Sequence, residues 1–191
     1  MPESAIFIDA GYLDKTMRNE HGGVSIDYDK LATEMAGGLN RYRAYYYYSP
    51  RWMPTHPSEE ERRQQANQDR FFERIRCLPR FEVRLGHLQR RGTDSATGKP
   101  IFQQKGVDVL LAIDVVRVSL RGVVSQVALL AGDGDYRPLV KVAKDAGVIT
   151  RLFHAQGTTE STKYSLELWS ECDERVPIDS ALVARVRRGY K

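Results

Sequence analysis

Short apolar runs alternate along this chain with longer segments of helical pattern, and this alternation constrains the fold more than any other feature. The runs, each suited to one strand, are SAIFIDA, RYRAYYYYS, SQVALLA and VITRLFH. Strands that alternate with helices are typical of a parallel sheet covered by helices on both faces. We therefore expect an α/β protein, a three-layer α/β/α sandwich with a mainly parallel, Rossmann-like central sheet.

Helix signals lie between these runs. Asp27 is a candidate N-cap with Gly37 as the stop of the same helix, and Ser58 and Glu61 have the spacing of a capping box. The run GVDVLLAIDVVRVSL is too long and too uniformly apolar for an ordinary strand, which favours a buried helix. Two further helices are predicted for YRPLVKVAKDAG and TKYSLELWSECD.

Two segments near the middle of the chain need separate interpretation. RFEVRLGHLQRR and KPIFQQ flank the turn-rich GTDSATG, which indicates a strand pair or an extended arm. The four tyrosines from Tyr45 to Tyr48 could stack on nucleic-acid bases. Strand alternation sends two of them to each face of the sheet, where helices should cover them, so core packing is favoured.

The length of 191 residues suits one domain. We assign residues 1–175 to that domain and residues 176–191 to a basic C-terminal tail. The net charge of +4 is accounted for by four cations near the end of the chain: Arg185, Arg187, Arg188 and Lys191. Such a tail either helps to hold a polyanion or is a solvated, frayed terminus.

The sequence excludes several classes of protein. No apolar run reaches the roughly 18 residues of a membrane span, and the first residues lack the basic start and long apolar core of a signal peptide. We expect a cytoplasmic protein without a membrane partner. Cys77 and Cys172 lie far apart in such a chain, which favours free thiols over a disulfide.

Acidic residues follow two of the predicted strands. Asp9 ends the first strand, where it could also be a helix N-cap or a turn acid, and Asp133 follows VALLA after one glycine. Because functional groups in parallel sheets gather at the carboxyl ends of strands, neighbouring strands would bring these carboxylates together. Such carboxylates repel each other unless a cation lies between them, and Mg²⁺ or Mn²⁺ favours oxygen ligands.

Further acids belong to the same hypothesis. Asp108 is expected in the first turn of the apolar helix, just after Lys105, and Asp114 is expected on its partly buried face. A buried carboxylate needs a partner, such as Lys105, an arginine or a metal network. Asp133 and Asp135 could instead cap the next helix, with Asp135 the better candidate for the cap.

The glycines beside these acids have a predicted purpose. Gly132 and Gly134 fit a tight turn that would bring the backbone close to a substrate phosphate.

At these residues the chain resembles the NYN domains of the PIN-like nuclease superfamily, in particular the bacterial branch related to the LabA proteins. The resemblance is carried by IFIDAGYL, KGVDVLLAID and LLAGDGDYRPLVKVAKDAGV, in that order and spacing. It spans residues 5–155, and YSLELWSECD fits the closing helix of the family.

This resemblance implies a divalent-metal-dependent phosphodiesterase, a ribonuclease cleaving single-stranded or structured RNA. Asp9, Asp108 and Asp133 carry over as ligands of Mg²⁺ or Mn²⁺, with Asp135 as a further catalytic acid and Asp114 in support. Lys105 would either steady a phosphate oxygen or neutralise a neighbouring aspartate.

Residues beyond the acids are predicted to contact nucleic acid, RNA or DNA. The positions are Arg84, Arg90, Arg91 and Lys99 on the predicted arm, and Ser161 after the last clear strand. A basic groove of this kind tracks phosphates. The alternatives are a solvated surface for the arm and a helix N-cap for Ser161.

Two other functions compete with a nuclease. Many relatives have Asn two residues after the first Asp, where this chain has Gly11. The difference favours a catalytically weak or inactive RNA-binding module. A haloacid-dehalogenase-like phosphatase would need an acid at that position, so Gly11 disfavours it. The sequence also allows a homodimer but locates no apolar surface for it.

Overall fold

The computed structural model describes residues 1–50, 53–93 and 100–189, and its centre is a parallel sheet. The strands are β1 (Glu3–Asp9), β2 (Asn40–Tyr48), β3 (Phe81–Leu85), β4 (His87–Thr93), β5 (Pro100–Lys105), β6 (Gln126–Leu130), β7 (Ile149–His154) and β8 (Glu174–Pro177). Six of them form the central sheet in the order β3-β2-β1-β6-β7-β8, and every neighbouring pair is parallel. β4 and β5 form a separate antiparallel hairpin, hereafter the arm.

Helices cover both faces of this sheet. They are α1 (Ala10–Glu20), α2 (Tyr28–Ala36), α3 (Glu59–Arg76), α4 (Val107–Leu120), α5 (Arg137–Asp145), α6 (Leu166–Glu171) and α7 (Ser180–Val186). The first core, on one face, contains side chains of α1, α2, α3 and α7, and the second core contains side chains of α4, α5 and α6. The expected three-layer α/β/α sandwich is confirmed.

The middle strands are buried because they face helices on both sides. Every residue of β6 is buried, and β1 is buried from residue 4 to residue 8. The tyrosines of β2 alternate as expected: Tyr45 and Tyr47 pack in the second core, while Tyr46 belongs to the first core and Tyr48 packs against it. Their rings are packing groups, and base stacking is not needed to explain them.

The predicted helix ends are confirmed by hydrogen bonds. Asp27 caps α2 by accepting from the backbone N–H groups of residues 29 and 30, and α2 ends at Gly37 in the left-handed conformation. Ser58 and Glu61 form the reciprocal capping box of α3. Local side-chain chemistry therefore sets these boundaries, which is why the sequence predicts them.

Two segments differ from expectation. RFEVRLGHLQRR divides at Gly86: its first half joins the edge of the main sheet as β3, and its second half forms the arm with β5. α1 was not predicted. It buries Tyr12, Leu13 and Met17 against the first core, and its N-cap is the strand-ending Asp9.

Most of the segment predicted to be a basic tail, residues 176–191, contributes to the fold as far as residue 187, within the described part of the chain. β8 pairs with β7 through residue 177, and α7 buries Leu182, Val183 and Val186 in the first core. Ile178, which joins them, is also buried. Regular structure therefore continues well beyond residue 175.

α4 has the helical structure expected of its apolar run, but it is not buried on all sides. Leu111, Val115 and Val118 lie in the second core, whereas Val109 and Ile113 are 62% and 55% exposed. No helix among the described residues has the length and apolar character needed to cross a bilayer. Both cysteines are free, Cys77 exposed and Cys172 buried.

The packing of α7 leads to a stability prediction. Leu182 is 3% exposed in the first core, so Leu182→Ala should lower the free energy of unfolding by about 2–4 kcal/mol. Urea denaturation measures this change. Arg185→Ala is the matched control, because Arg185 makes only an exposed ion pair with Glu34 and should change the stability by less than about 1 kcal/mol. Equal, small effects of both substitutions would indicate a frayed terminus.

Candidate active site

The carboxyl ends of β1 and β6 place two aspartates at one edge of the sheet. β1 and β6 are direct neighbours, with Ile8 opposite Leu130. Asp9 is the last residue of β1 and also the N-cap of α1, where its Oδ1 accepts from the backbone N–H of Tyr12 at 3.1 Å. The same hydrogen bond that begins the helix therefore orients the carboxylate.

Like Asp9, Asp133 lies at the carboxyl end of a strand and caps the helical segment that comes next. It follows β6 and caps the 3-10 turn Gly134–Tyr136, accepting from the backbone N–H of Asp135 at 3.0 Å. The expectation that Asp135 is the better cap was wrong, since the first acid forms the cap. Asp133 and Asp135 are both exposed to solvent.

Asp108 reaches this site from the opposite layer. It lies in the first turn of α4, as expected, and its Oδ1 accepts from the Tyr136 hydroxyl at 2.7 Å. Tyr136 is 1% exposed, so its ring is held in the second core while its hydroxyl reaches the acids. Burial raises the pKa of Tyr136 well above its usual value, and the charges of Asp9, Asp108 and Asp133 add to this rise.

The pKa of Asp9 is raised by its surroundings. Burial raises the pKa of Asp9 to about 6, although the hydrogen bond from the Tyr12 backbone opposes the rise. The charge of Asp108 raises this pKa further, and Lys15 lowers it. Among the described side chains, burial and Asp108 therefore outweigh the groups that stabilise the charged form of Asp9.

The donor set suits a divalent cation. In the described parts of the chain, no three side chains of Asp, Glu, His or Cys are grouped closely enough to hold a metal ion. Nevertheless, the available atoms are carboxylate oxygens, and a protein donor already orients one oxygen in each of Asp9, Asp108 and Asp133. Hard cations such as Mg²⁺ prefer such oxygens. The type of donor atom therefore fits a divalent cation, although the described side chains do not form a complete set of metal ligands.

Tyr136 is the site residue that sequence reasoning missed. The available signal was its position directly after the acid pair Asp133 and Asp135. The sequence could not show that its hydroxyl would meet a carboxylate 28 residues away. This contact depends on how α4 packs beside the β6 turn.

The two glycines make room for protein atoms. A Cβ on Gly132 would lie 2.4 Å from Cε2 of Tyr12 and 3.0 Å from the carbonyl oxygen of Lys163. A Cβ on Gly134 would lie 2.8 Å from the Ser165 hydroxyl. The expected clearance for phosphate is therefore not needed to explain either glycine.

Asp114 is held by protein partners. It is 5% exposed and accepts from the Tyr47 hydroxyl at 2.9 Å and from Arg84 Nε at 3.1 Å. Arg117 also pairs with it. The sequence left open whether Asp114 pairs with Lys105, an arginine or a metal network, and the structure shows two arginines. The charge of Asp114 is thus paired with two arginines, whereas no ion pair is seen for Asp9 among the described residues.

Arg84 takes part in that ion-pair network. Its guanidinium also contacts Glu82 at 2.6 Å and lies over the ring of Tyr45. Its charge is therefore engaged within the protein, and contact with nucleic acid stays a prediction.

Ser161 packs beside α1. Its hydroxyl accepts from Asn19 near the end of that helix. It belongs to the 3-10 turn Glu160–Thr162 but is not its N-cap, which is Thr159. Its contact with nucleic acid stays a prediction.

The remaining predicted cations cannot be placed. Lys99 lies outside the described residues. For Arg90, Arg91 and Lys105 the structure describes the backbone alone, in the two strands of the arm. Lys105 ends β5 and is separated from α4 by Gly106.

Gly11 lies beside the first acid. It is an exposed residue in the first turn of α1, and a Cβ added there would lie 3.3 Å from Asp9 Oδ1. A longer polar side chain at this position would therefore stand next to the candidate ligand. Gly11 leaves that space to solvent or substrate.

Comparisons with known proteins agree with this architecture. The family model described as NYN domain matches residues 3–179. A protein of unknown function from Vibrio parahaemolyticus, VPA0982, has a similar crystal structure, with a TM-score of 0.67 and 21% identity over 98% of this chain and 96% of that chain. At this identity, the likeness concerns the fold alone.

One curated relative is similar over a shorter stretch. The uncharacterized protein y4oD of Sinorhizobium fredii is 35% identical over 72 residues, which are 38% of this chain. The matched stretch spans 29% of that relative's length.

The contact between Gly132 and Tyr12 leads to a prediction. Gly132→Ala should lower the free energy of unfolding by about 1–3 kcal/mol, because the new methyl group would overlap the Tyr12 ring. Gly189→Ala is the control, since a Cβ there would meet nothing within 4 Å. Urea denaturation compares the two, and an unchanged midpoint for the first variant would contradict the assignment.

The partners of Asp114 lead to a second prediction. Tyr47→Phe removes a hydroxyl that donates to a buried carboxylate and should destabilise the protein by about 1–3 kcal/mol. Tyr45→Phe, two residues away on the same face, is the matched control and should have a smaller effect. Thermal unfolding followed by circular dichroism distinguishes them, and equal shifts would mean that the hydrogen bond contributes nothing.

Proposed function

This chain belongs to the NYN domain family of the PIN-like nuclease superfamily, and we propose that it is a divalent-metal-dependent ribonuclease. NYN domains are generally nucleases, so a nucleic-acid phosphodiester is the expected substrate class. The observation that carries the proposal is that Asp9 and Asp133 lie at the carboxyl ends of neighbouring strands at one sheet edge, while Asp108 joins that edge through the Tyr136 hydroxyl. The charges of all three aspartates raise the pKa of Tyr136. RNA as the substrate and a cytoplasmic location are parts of the proposal.

The three acids have related roles in this proposal. Asp9, Asp108 and Asp133 would hold Mg²⁺ or Mn²⁺, with Asp135 as an additional acid beside them. A bound cation of this kind lowers the pKa of a water molecule and offsets charge developing on the phosphate. The backbone N–H groups of Tyr12 and Asp135 orient two of the carboxylates.

Tyr136 has a positioning role. Its hydroxyl donates to Oδ1 of Asp108, which fixes the rotation of that carboxylate relative to β1 and β6. Hydrogen-bond partners of metal ligands tune affinity in this way. Its ring, buried in the second core, makes the donor rigid.

Contacts with the rest of the substrate would come from the arm. We propose that Arg90, Arg91 and Lys99 follow the phosphate backbone, as basic grooves do in proteins that bind single strands. Lys105 would steady a phosphate oxygen or neutralise an aspartate. Arg84 and Ser161 are secondary candidates because other residues of the protein already engage them. DNA is the alternative polymer.

A catalytically weak or inactive RNA-binding module is the second candidate function, and Gly11 is the observation that favours it. The space beside Asp9 Oδ1 holds no side chain from this position, whereas many relatives place Asn there. A haloacid-dehalogenase-like phosphatase is less consistent, because its chemistry needs an acid where Gly11 stands.

The direct test is cleavage of labelled RNA. Wild-type protein should cut single-stranded or structured RNA with Mn²⁺ or Mg²⁺ and should lose this activity in EDTA. Asp133→Asn should reduce the rate by at least about 100-fold, since it removes a proposed ligand. Asp145→Asn, at the end of α5, is a matched control that should retain activity.

Each outcome of this assay separates the candidates. Cleavage that survives both EDTA and Asp133→Asn would contradict the metal mechanism. Binding of RNA without cleavage, under all metal conditions, would favour the inactive module. A labelled DNA strand of the same sequence determines the polymer preference.

The role of Tyr136 can be tested without measuring activity. Tyr136→Phe should weaken Mn²⁺ binding about 3- to 30-fold in a calorimetric titration, because Asp108 loses its orienting donor. Tyr45→Phe, in the same core, should leave the affinity unchanged. If wild-type protein binds no Mn²⁺, the metal proposal fails; if both variants bind like wild type, the positioning role alone fails.

A further inference from the structure

The outward face of α4 is an apolar surface that the fold leaves uncovered. Val109, Ile113 and Leu120 are 62%, 55% and 66% exposed, and Val116 between them is half-buried. We call these four residues the α4 stripe. Ten of the 14 residues of α4 are apolar, so the helix has apolar groups both towards the core and away from it. A helix with this composition is typically covered on both sides.

The spacing within the α4 stripe identifies the kind of surface that would cover it. Successive members are four, three and four residues apart, the spacing of the seam of paired helices. These intervals read the same from either end. A second α4 laid antiparallel therefore presents the same pattern, with Val109 of one copy opposite Leu120 of the other and Ile113 opposite Val116.

The charge of the α4 stripe also favours a second copy of α4 as the group that covers it. The α4 stripe contains no charged side chain, whereas a nucleic-acid surface needs Lys or Arg directed at phosphates. Of the charged residues of α4 beside the stripe, Asp114 and Arg117 pair with each other, and Asp108 accepts a hydrogen bond from Tyr136. An uncharged, self-complementary face suits a second copy of this chain.

We propose that the α4 stripe is a self-association surface through which two copies pair antiparallel about a two-fold axis. In a closed two-fold dimer, the same patch of each copy contacts its counterpart, so neither copy keeps an uncovered patch. The α4 stripe includes none of the three acids, although Asp108 directly precedes Val109, and its test measures association rather than nuclease activity.

The size of the surface sets the expected strength. A 14-residue helix is about 21 Å long, so one helix pair buries about 1,000 Å² in total, at the low end for specific interfaces. The dimer should therefore be reversible, with a dissociation constant of roughly 1–100 μM.

Sedimentation velocity across protein concentration tests the proposal. Wild-type protein should shift from monomer to dimer between about 1 and 300 μM. Ile113→Glu should keep it monomeric throughout that range, because a carboxylate would be buried at the seam. Leu166→Glu is the matched control: Leu166 is 73% exposed in the first turn of α6, where an acid is tolerated, and this variant should dimerise like wild type.

A charge rescue tests the antiparallel register. Adding Val116→Lys to Ile113→Glu should restore part of the association at low salt, since the two introduced charges face each other across the axis. Circular dichroism melting checks that each variant is folded. Four results would overturn the proposal: a monomeric wild type, a dimeric Ile113→Glu variant, dissociation by Leu166→Glu, or assemblies larger than dimers. Absence of rescue would overturn the register.

Discussion

Burial of the Asp9 carboxylate beside a second acid, at the carboxyl edge of the sheet, is the constraint on which the rest of the site depends. Asp9 has a pKa raised to about 6 by burial and by Asp108, against the hydrogen bond from Tyr12. Because this pKa lies above that of an unfolded aspartate, ionisation of Asp9 destabilises the fold as the pH rises through about 6. Folding alone does not favour such an arrangement, whereas binding a cation does.

Much of this architecture could be predicted from the sequence, since local chemistry specifies it. The strands β1 and β6 are short apolar runs, and the capping box at Ser58 and Glu61 is a spacing rule. The placement of Asp9 and Asp133 follows from the end of each strand, and that of Asp108 from the start of an apolar helix.

The remaining features depend on contacts between distant segments. Nothing local indicated that Tyr136 would meet Asp108, or that Gly132 would lie against Tyr12. α1 was not predicted, because Asp9 was assigned to a strand end with a helix N-cap as one alternative, whereas in the structure it is both. The burial of Leu182 was hidden by the basic residues around it, and the apolar pattern of α4 did not reveal that one of its faces stays exposed.

The central claim, that Asp9 and Asp108 share one field of negative charge, can be measured directly by NMR. Titration of the Asp9 side-chain carbonyl carbon in metal-free protein should give a pKa near 6. In Asp108→Asn the value should fall, because the neighbouring charge is lost while the burial remains. A wild-type pKa near the ordinary aspartate value, or a value unchanged by Asp108→Asn, would contradict this account.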